Sequence, residues 1–157
     1  MLKKYRTIIV DDEPANIKLL TIFLQKYCPS IEIVGTANNS EKFIELLLIK
    51  NPEILLLDID LGEEKNTLDL LKYFDSSNYE IVITTSHSDF AIDAINQHQI
   101  SSYILKPIQP IELTKAIKIA ENNILFNNIS KHKSVAEGAE NIIGLPTATN
   151  IDIVKIE

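Results

Sequence analysis

The sequence predicts an α/β chain built on a five-stranded, doubly wound parallel sheet. Three observations predict it. Short apolar runs alternate with longer amphipathic ones, in a β-α unit that repeats five times between Thr7 and Phe126. The amphipathic segments carry their apolar residues at helical spacing. The run Ile54-Leu55-Leu56-Leu57 is apolar without a break, as a strand covered on both faces is. Strands that alternate with helices pair in parallel, with helices on both faces of the sheet.

The elements follow in order. Thr7 to Val10 is the first strand and ends in Asp11-Asp12. Pro14 opens a helix, since a first turn does not need its missing N–H. Ile17, Leu20, Leu24 and Tyr27 continue it. Ile31 to Val34 is the second strand, broken by Gly35. Ser40 is placed to cap the second helix, which carries Phe43, Leu46 and Leu47 and stops at Asn51-Pro52. Ile54 to Leu57 is the third strand and ends in Asp58. A loop with Gly62 and Asn66 leads to a helix over Leu68 to Phe74. Ile81-Val82-Ile83 is the fourth strand and runs into Thr84-Thr85-Ser86. Phe90 to Asn96 is a short helix. Tyr103-Ile104-Leu105 is the fifth strand, closed by Lys106-Pro107, and Pro110 opens a last helix to about Phe126. Right-handed crossovers leave few topologies, and a flavodoxin-like (βα)5 order suits five strands.

Residues 1–126 are thus expected to be one domain. Residues 127–141 are polar without a sustained apolar period and are expected to be a linker. Residues 142–157 turn apolar again, with Ile142, Ile143 and Leu145 before Ala148-Thr149-Asn150 and Ile151, Ile153, Val154 and Ile156 after it. They are expected to form two short strands. So short a segment cannot bury a core of its own, so it is expected to open a further domain.

The chain holds 22 acidic and 15 basic residues, a net charge of -7. Such a surface repels nucleic acid and anionic membranes, so DNA contact is expected only through a domain outside this chain. No apolar run reaches membrane-spanning length, and the run after Lys3-Lys4 is too short for a signal peptide. The single Cys28 cannot form an internal disulfide and reads as packing filler in a cytoplasmic protein. His87, His98 and His132 lack metal-ligand spacing and read as solvated.

The chemistry lies at the carboxyl ends of the strands, where open α/β sheets bind ligands. Asp11 and Asp12 follow strand one, Asp58 strand three, Thr85 strand four and Lys106 strand five. Clustered carboxylates repel unless a hard cation neutralises them, and magnesium takes few protein oxygens plus water and phosphate. A carboxylate can also attack phosphorus to give an aspartyl phosphate. Taken singly, an Asp at a strand end is usually a turn residue, a Lys before Pro is usually solvated, and a strand-end Thr is ordinary β chemistry. The joint reading is favoured because all the exceptions fall on one sheet edge.

The stretches Ile8-Ile9-Val10-Asp11-Asp12-Glu13-Pro14, Leu55-Leu56-Leu57-Asp58-Ile59, Ile83-Thr84-Thr85-Ser86 and Tyr103-Ile104-Leu105-Lys106-Pro107 together resemble the receiver domain of a two-component response regulator. The resemblance spans nearly all of residues 5–120. It implies that Asp58 is the phosphoacceptor, served by a sensor histidine kinase. It implies that Asp12 binds Mg2+, with Asp11 assisting, Asp58 beside it and the backbone carbonyl of Asp60 as a further ligand. Thr85 and Lys106 would hold the phosphoryl oxygens. Tyr103 would be the aromatic switch that packs inward when Thr85 moves. Dimerisation would run through helix four, strand five and helix five. The apolar stripe of that last helix, with Ile111, Ala116, Ile117 and Ile119, serves the core first. Lys106-Pro107 is expected to be cis, a form that X–Pro bonds tolerate.

Two departures stand out. Leu61-Gly62 occupies a place where such domains usually carry Met-Pro or Leu-Pro. Asn66 stands where they usually have Gly, and is expected to take the left-handed conformation. The loop from Gly62 to Thr67 is expected to be looser for it. A finer resemblance joins Ser88-Asp89-Phe90-Ala91-Ile92-Asp93-Ala94-Ile95 to the receivers that precede LytTR-type DNA-binding domains. The segment from Ile142 to Glu157 looks like the opening strands of such a domain. Two other readings compete. Asp58-Ile59-Asp60 resembles the nucleophile pair of haloacid-dehalogenase-like phosphatases, which leaves Asp11-Asp12 unexplained. A pseudo-receiver that binds no phosphate would not need the full acidic set. The expectation is a signalling switch and not an enzyme.

Overall fold

The computed structural model describes residues 2–89 and 91–143. Strands β1 (Tyr5–Val10), β2 (Ile31–Ala37), β3 (Ile54–Leu57), β4 (Glu80–Thr85) and β5 (Ile100–Leu105) form one sheet in the order β2-β1-β3-β4-β5. Every pairing is parallel. Helices α1 (Pro14–Tyr27), α2 (Ser40–Lys50), α3 (Thr67–Leu71), α4 (Ala91–Gln97) and α5 (Pro110–Ile143) connect or follow the strands. Residues up to Asn122 form one compact unit and those from Asn123 a second. No described helix is long and apolar enough to cross a membrane.

The three inner strands, β1, β3 and β4, are dry. Ile8, Ile9, Val10 and all of Ile54 to Leu57 are fully buried, which is what their unbroken apolar sequence requires. Phe43, Leu46 and Leu47 of α2 and Leu68 and Leu71 of α3 pack in one cluster with Ile8, Val10, Leu55 and Leu57. The strand order reverses at β1 and β3, so the loops after these two strands border the crevice where such sheets bind ligands.

Several boundaries differ from expectation, each for a local reason. Gly35 does not break β2, which runs through it to Ala37. Its pairing with Ile8 follows a register shift, and a Cβ there would sit 2.7 Å from Leu46 Cδ2. The glycine answers a close approach of α2, not a turn. Ser40 is the first residue of α2 rather than its cap; Asn39 caps it, its side chain accepting from the Lys42 amide at 2.8 Å. Asn51 ends α2 in the left-handed region, at φ 48°. Asn66 is not left-handed but extended, at φ -86°. It caps α3 in a reciprocal box with Asp69, and the positive φ of this loop falls on Gly62 instead. Helix α3 closes at Leu71, before Phe74, and a 3-10 turn at Ser76–Asn78 follows.

Helix α5 does not end near Phe126 but continues to Ile143. The stretch holds no proline, and Lys131, Lys133, Ala136, Glu137, Ala139 and Glu140 are good helix formers. Polarity without a period ends an amphipathic face, not a helix. The polar stretch 127–141 is therefore helical, and Ile142 and Ile143 are its last helical residues rather than the start of a strand. Phe90, and residues 144–157 of the segment 142–157 expected to form two strands, lie outside the described residues.

Candidate functional site

Strand pairing brings the polar residues together. The Asp58 amide donates to the Val10 carbonyl at 2.8 Å, extending the β1–β3 pairing beyond the last apolar residue. The Asp11 amide donates to Ala37 O at 3.0 Å, and the Lys106 amide to Thr85 O at 2.8 Å. The Lys106-Pro107 bond is cis. The Lys106 side chain reaches back over the sheet edge. Its Nζ lies 2.7 Å from Asp11 Oδ2 and 2.9 Å from Asp58 Oδ2.

Asp11 is fully buried and Asp58 nearly so. The second oxygen of Asp11 accepts from the Glu13 amide at 2.9 Å. The main chain at Asp58 is fixed from α3, where Thr67 Oγ1 donates to the Asp58 carbonyl at 2.8 Å. Burial pushes the Asp58 carboxyl above its usual range, against the hydrogen bond and charge of Lys106. Burial would lower the Lys106 ammonium, but its bonds to Asp11 and Asp58 outweigh this and raise it. Burial, then the charge of Asp11, also raises Asp12.

The structure thus places Asp11, Asp58 and Lys106 in direct contact. Asp12 stands beside them: carboxylate oxygens of Asp11, Asp12 and Glu13 lie within 4.8 Å of one another. Glu13 was not expected at the site, although it completes the acidic run in the sequence. The Asp60 carboxylate turns away, accepting from the Gly62 amide at 2.8 Å and lying 3.7 Å from His87 Nε2. Thr85 is buried, and its hydroxyl accepts from the His87 amide at 3.2 Å. The Tyr103 hydroxyl donates to the His87 carbonyl, so His87 joins Thr85 to Tyr103 through its backbone. That role has no signal in the residue type, and His87 read as solvated for that reason. His98 also departs from expectation. It is buried, which lowers its pKa first of all. Cys28 is buried, as packing filler is.

The donor set fits a hard divalent cation. Every available ligand is oxygen, and one ammonium does not neutralise the carboxylates at this edge.

The family model of the response regulator receiver domain matches residues 7–118. The chain belongs to this family. The receiver domain is 34% identical over 113 residues to the transcriptional regulatory protein BtsR of Shigella flexneri, covering 71% of this chain and 46% of that one. It is 30% identical over 129 residues to the sensory transduction protein LytR of Staphylococcus haemolyticus, covering 81% and 49%. The chain spans about half the length of these curated relatives. The isolated receiver domain of RcsB from Salmonella enterica superposes with a TM-score of 0.65 at 23% identity, covering 74% of this chain and 87% of that one. That likeness shows the fold: the five-stranded parallel sheet expected of the sequence is the sheet of receiver domains.

Proposed function

We propose that this receiver domain is a magnesium-dependent phosphorylation switch in which Asp58 accepts a phosphoryl group from a sensor histidine kinase. The observation that carries the reading is the buried Asp58 carboxylate held beside Asp11 by one lysine. An Asp58 oxygen attacks the phosphorus of the kinase phosphohistidine. The new P–O bond forms as the P–N bond breaks, and the histidine leaves. Asp12, Asp58 and the Asp60 carbonyl would hold Mg2+, with Asp11 assisting. When bound there, the ion would supply positive charge toward the phosphoryl oxygens. Lys106 pairs with one of those oxygens and the Thr85 hydroxyl bonds another. For that the hydroxyl turns from its present bond with His87, and Tyr103 fills the space it leaves.

The output is transcriptional, which the name of the transcriptional regulatory protein BtsR supports, and works through a LytTR-type DNA-binding domain, which the run Ser88 to Ile95 supports. In this reading residues 1–126 are the receiver, the helical stretch 127–141 links it onward, and residues 142–157 approach the output domain. The protein acts in the cytoplasm and dimerises on activation. Family membership leaves the phosphatase reading of Asp58 and Asp60 without support. Acetyl phosphate tests the site: intact mass should show one phosphoryl group, only with Mg2+ present, in an alkali-labile adduct absent from Asp58→Asn. Labelling that persists in Asp58→Asn removes Asp58 as the acceptor.

A further inference from the structure

Gly62 leaves the loop that carries Asp60 with a free joint, at φ +73°. A Cβ at this position would stand 3.7 Å from Asp12 Oδ2, so the backbone of Gly62 is a wall of the acidic site. Past Asp60 the far end of the loop is anchored, since Thr67 bonds the carbonyls of Asp58 and Ile59. The near end is held by the next residue. Glu63 Oε2 accepts from the Ser40 amide at 3.1 Å. Ser40 is the first residue of α2, and its N–H is one of the donors that a helix start leaves without an internal partner. Asn39 already satisfies the Lys42 amide of the same turn. A carboxylate is favoured there by the helix dipole.

The topology gives this bond its meaning. β1 lies between β2 and β3 in the sheet. A bond from the β3–α3 loop to the start of α2, which follows β2, therefore crosses the end of β1. Asp11 and Asp12 stand at that end.

We propose that Glu63 is a positioning residue for the metal site: its bond to the Ser40 amide holds the β3–α3 loop across the end of β1 and keeps Gly62 against Asp12. The proposal rests on the reading of Asp12, Asp58 and the Asp60 carbonyl as the magnesium ligands. In this role Glu63 needs no contact with ion or phosphoryl group, since its carboxylate is engaged by the Ser40 amide. Without the bond, the glycine joint lets the loop sample other positions, and the ion must order it on binding.

Three variants separate the bond from the charge. Glu63→Ala removes both. Glu63→Gln keeps an acceptor and removes the charge. Ser40→Pro keeps the charge and removes the donor, and proline is well tolerated at a first helical position after an extended residue such as Asn39. The whole chain is titrated with MgCl2 by calorimetry without phosphodonor, and amide exchange at Ser40 is followed in the metal-free protein. Glu63→Ala and Ser40→Pro should each weaken Mg2+ binding roughly fivefold, with melting temperatures unchanged. Glu63→Gln should bind Mg2+ as wild type does. Exchange at Ser40 should accelerate in Glu63→Ala and not in Glu63→Gln. Phosphorylation at saturating Mg2+ should keep its rate in all three. Wild-type affinity in Glu63→Ala and Ser40→Pro overturns the proposal, as does equal weakening in Glu63→Ala and Glu63→Gln, which would make the effect one of charge. Asp12→Asn is the reference. If it loses Mg2+ binding while the Glu63 variants do not change, only the positioning role fails. If it binds Mg2+ as wild type does, the magnesium reading fails first.

Discussion

At Lys106 a single ammonium serves two carboxylates that water hardly reaches. Removing it leaves two buried carboxylates without their counter-charge, which is more costly than the pair is stabilising. Lys106→Met should therefore lower metal-free stability by about 3 kcal/mol, and Mg2+ should restore part of the loss, as urea denaturation with and without the ion will show. Asp12 should behave in the opposite sense. Burial, then Asp11, holds its carboxyl above the usual 3.8. A group whose folded pKa lies above its unfolded value contributes stability below the unfolded value and loses it as pH rises through the folded one. Metal-free Asp12→Asn should thus melt near wild type at about pH 3 and above it at about pH 7. Mg2+ at neutral pH should raise the melting temperature of wild type and not of the variant. A lower melting temperature for Asp12→Asn at neutral pH would contradict the sign. The places of Asp11, Asp12, Asp58, Thr85 and Lys106 could be read from the sequence because they stand where apolar runs close, and the end of a parallel strand has one place in the fold. Glu63 and His87 could not. Their bonds depend on how the loops cross, and for His87 the bonding groups to Thr85 and Tyr103 are backbone atoms that every residue has.

Among the elements, the strands were legible because burial on both faces leaves an unbroken apolar signature, as at Ile54 to Leu57. The misread positions are those where one residue type serves two purposes. Gly35 carries the sequence signal of a turn, yet it lies within β2 because Leu46 of α2 fills the space a side chain would need. Asn66 favours both the left-handed conformation and helix capping, and Asp69 three residues on decides for the cap. Helix α5 was cut short because its apolar stripe fades after Phe126, while nothing in its residues stops the helix. Gly35→Ala tests the close approach. The new methyl must displace a Leu46 side chain that is itself buried, which should cost about 1–3 kcal/mol. Adding Leu46→Ala opens the space again, so the double variant should lose clearly less than the two single losses together. Equilibrium denaturation of the four proteins measures this coupling. Strict additivity would mean that the strand, not the contact, demands glycine.

For the molecule as a whole, the question is how an event at Asp58 reaches a partner. The chain carries a net charge of -7, so two copies repel, and association must draw on apolar contact at one face. β5 is the edge strand of the sheet, with α4 before it in the chain and α5 after it. Ile95, Leu105, Ile111 and Ile119 on these three elements are exposed by 62%, 45%, 66% and 45%. Isolated exposed apolar residues mean little, and α2 at the other side of the sheet order shows Leu48 and Ile49 just as openly. The β5 edge differs in its wiring. Lys106 directly follows β5 and bonds Asp58, and Tyr103 within β5 bonds the His87 carbonyl near Thr85. A phosphoryl group that draws Lys106 and Thr85 toward itself would therefore act on β5 and on the loop before α4, whereas the bond from the β3–α3 loop to α2 meets the Ser40 amide at the helix start and not the turn that carries Leu48 and Ile49. A two-fold pair through this edge uses each residue twice, so one bad substitution is felt twice. With beryllofluoride and Mg2+ the chain should dimerise more tightly than without, as read by sedimentation. Ile111→Glu should weaken that dimer at least about tenfold, while Ile49→Glu should leave it unchanged. Both variants should still take up one phosphoryl group from acetyl phosphate, which separates the surface from the site. A dimer broken by Ile49→Glu and spared by Ile111→Glu would move the output of this switch to α2, and the link through Lys106, Thr85 and Tyr103 would then need another explanation.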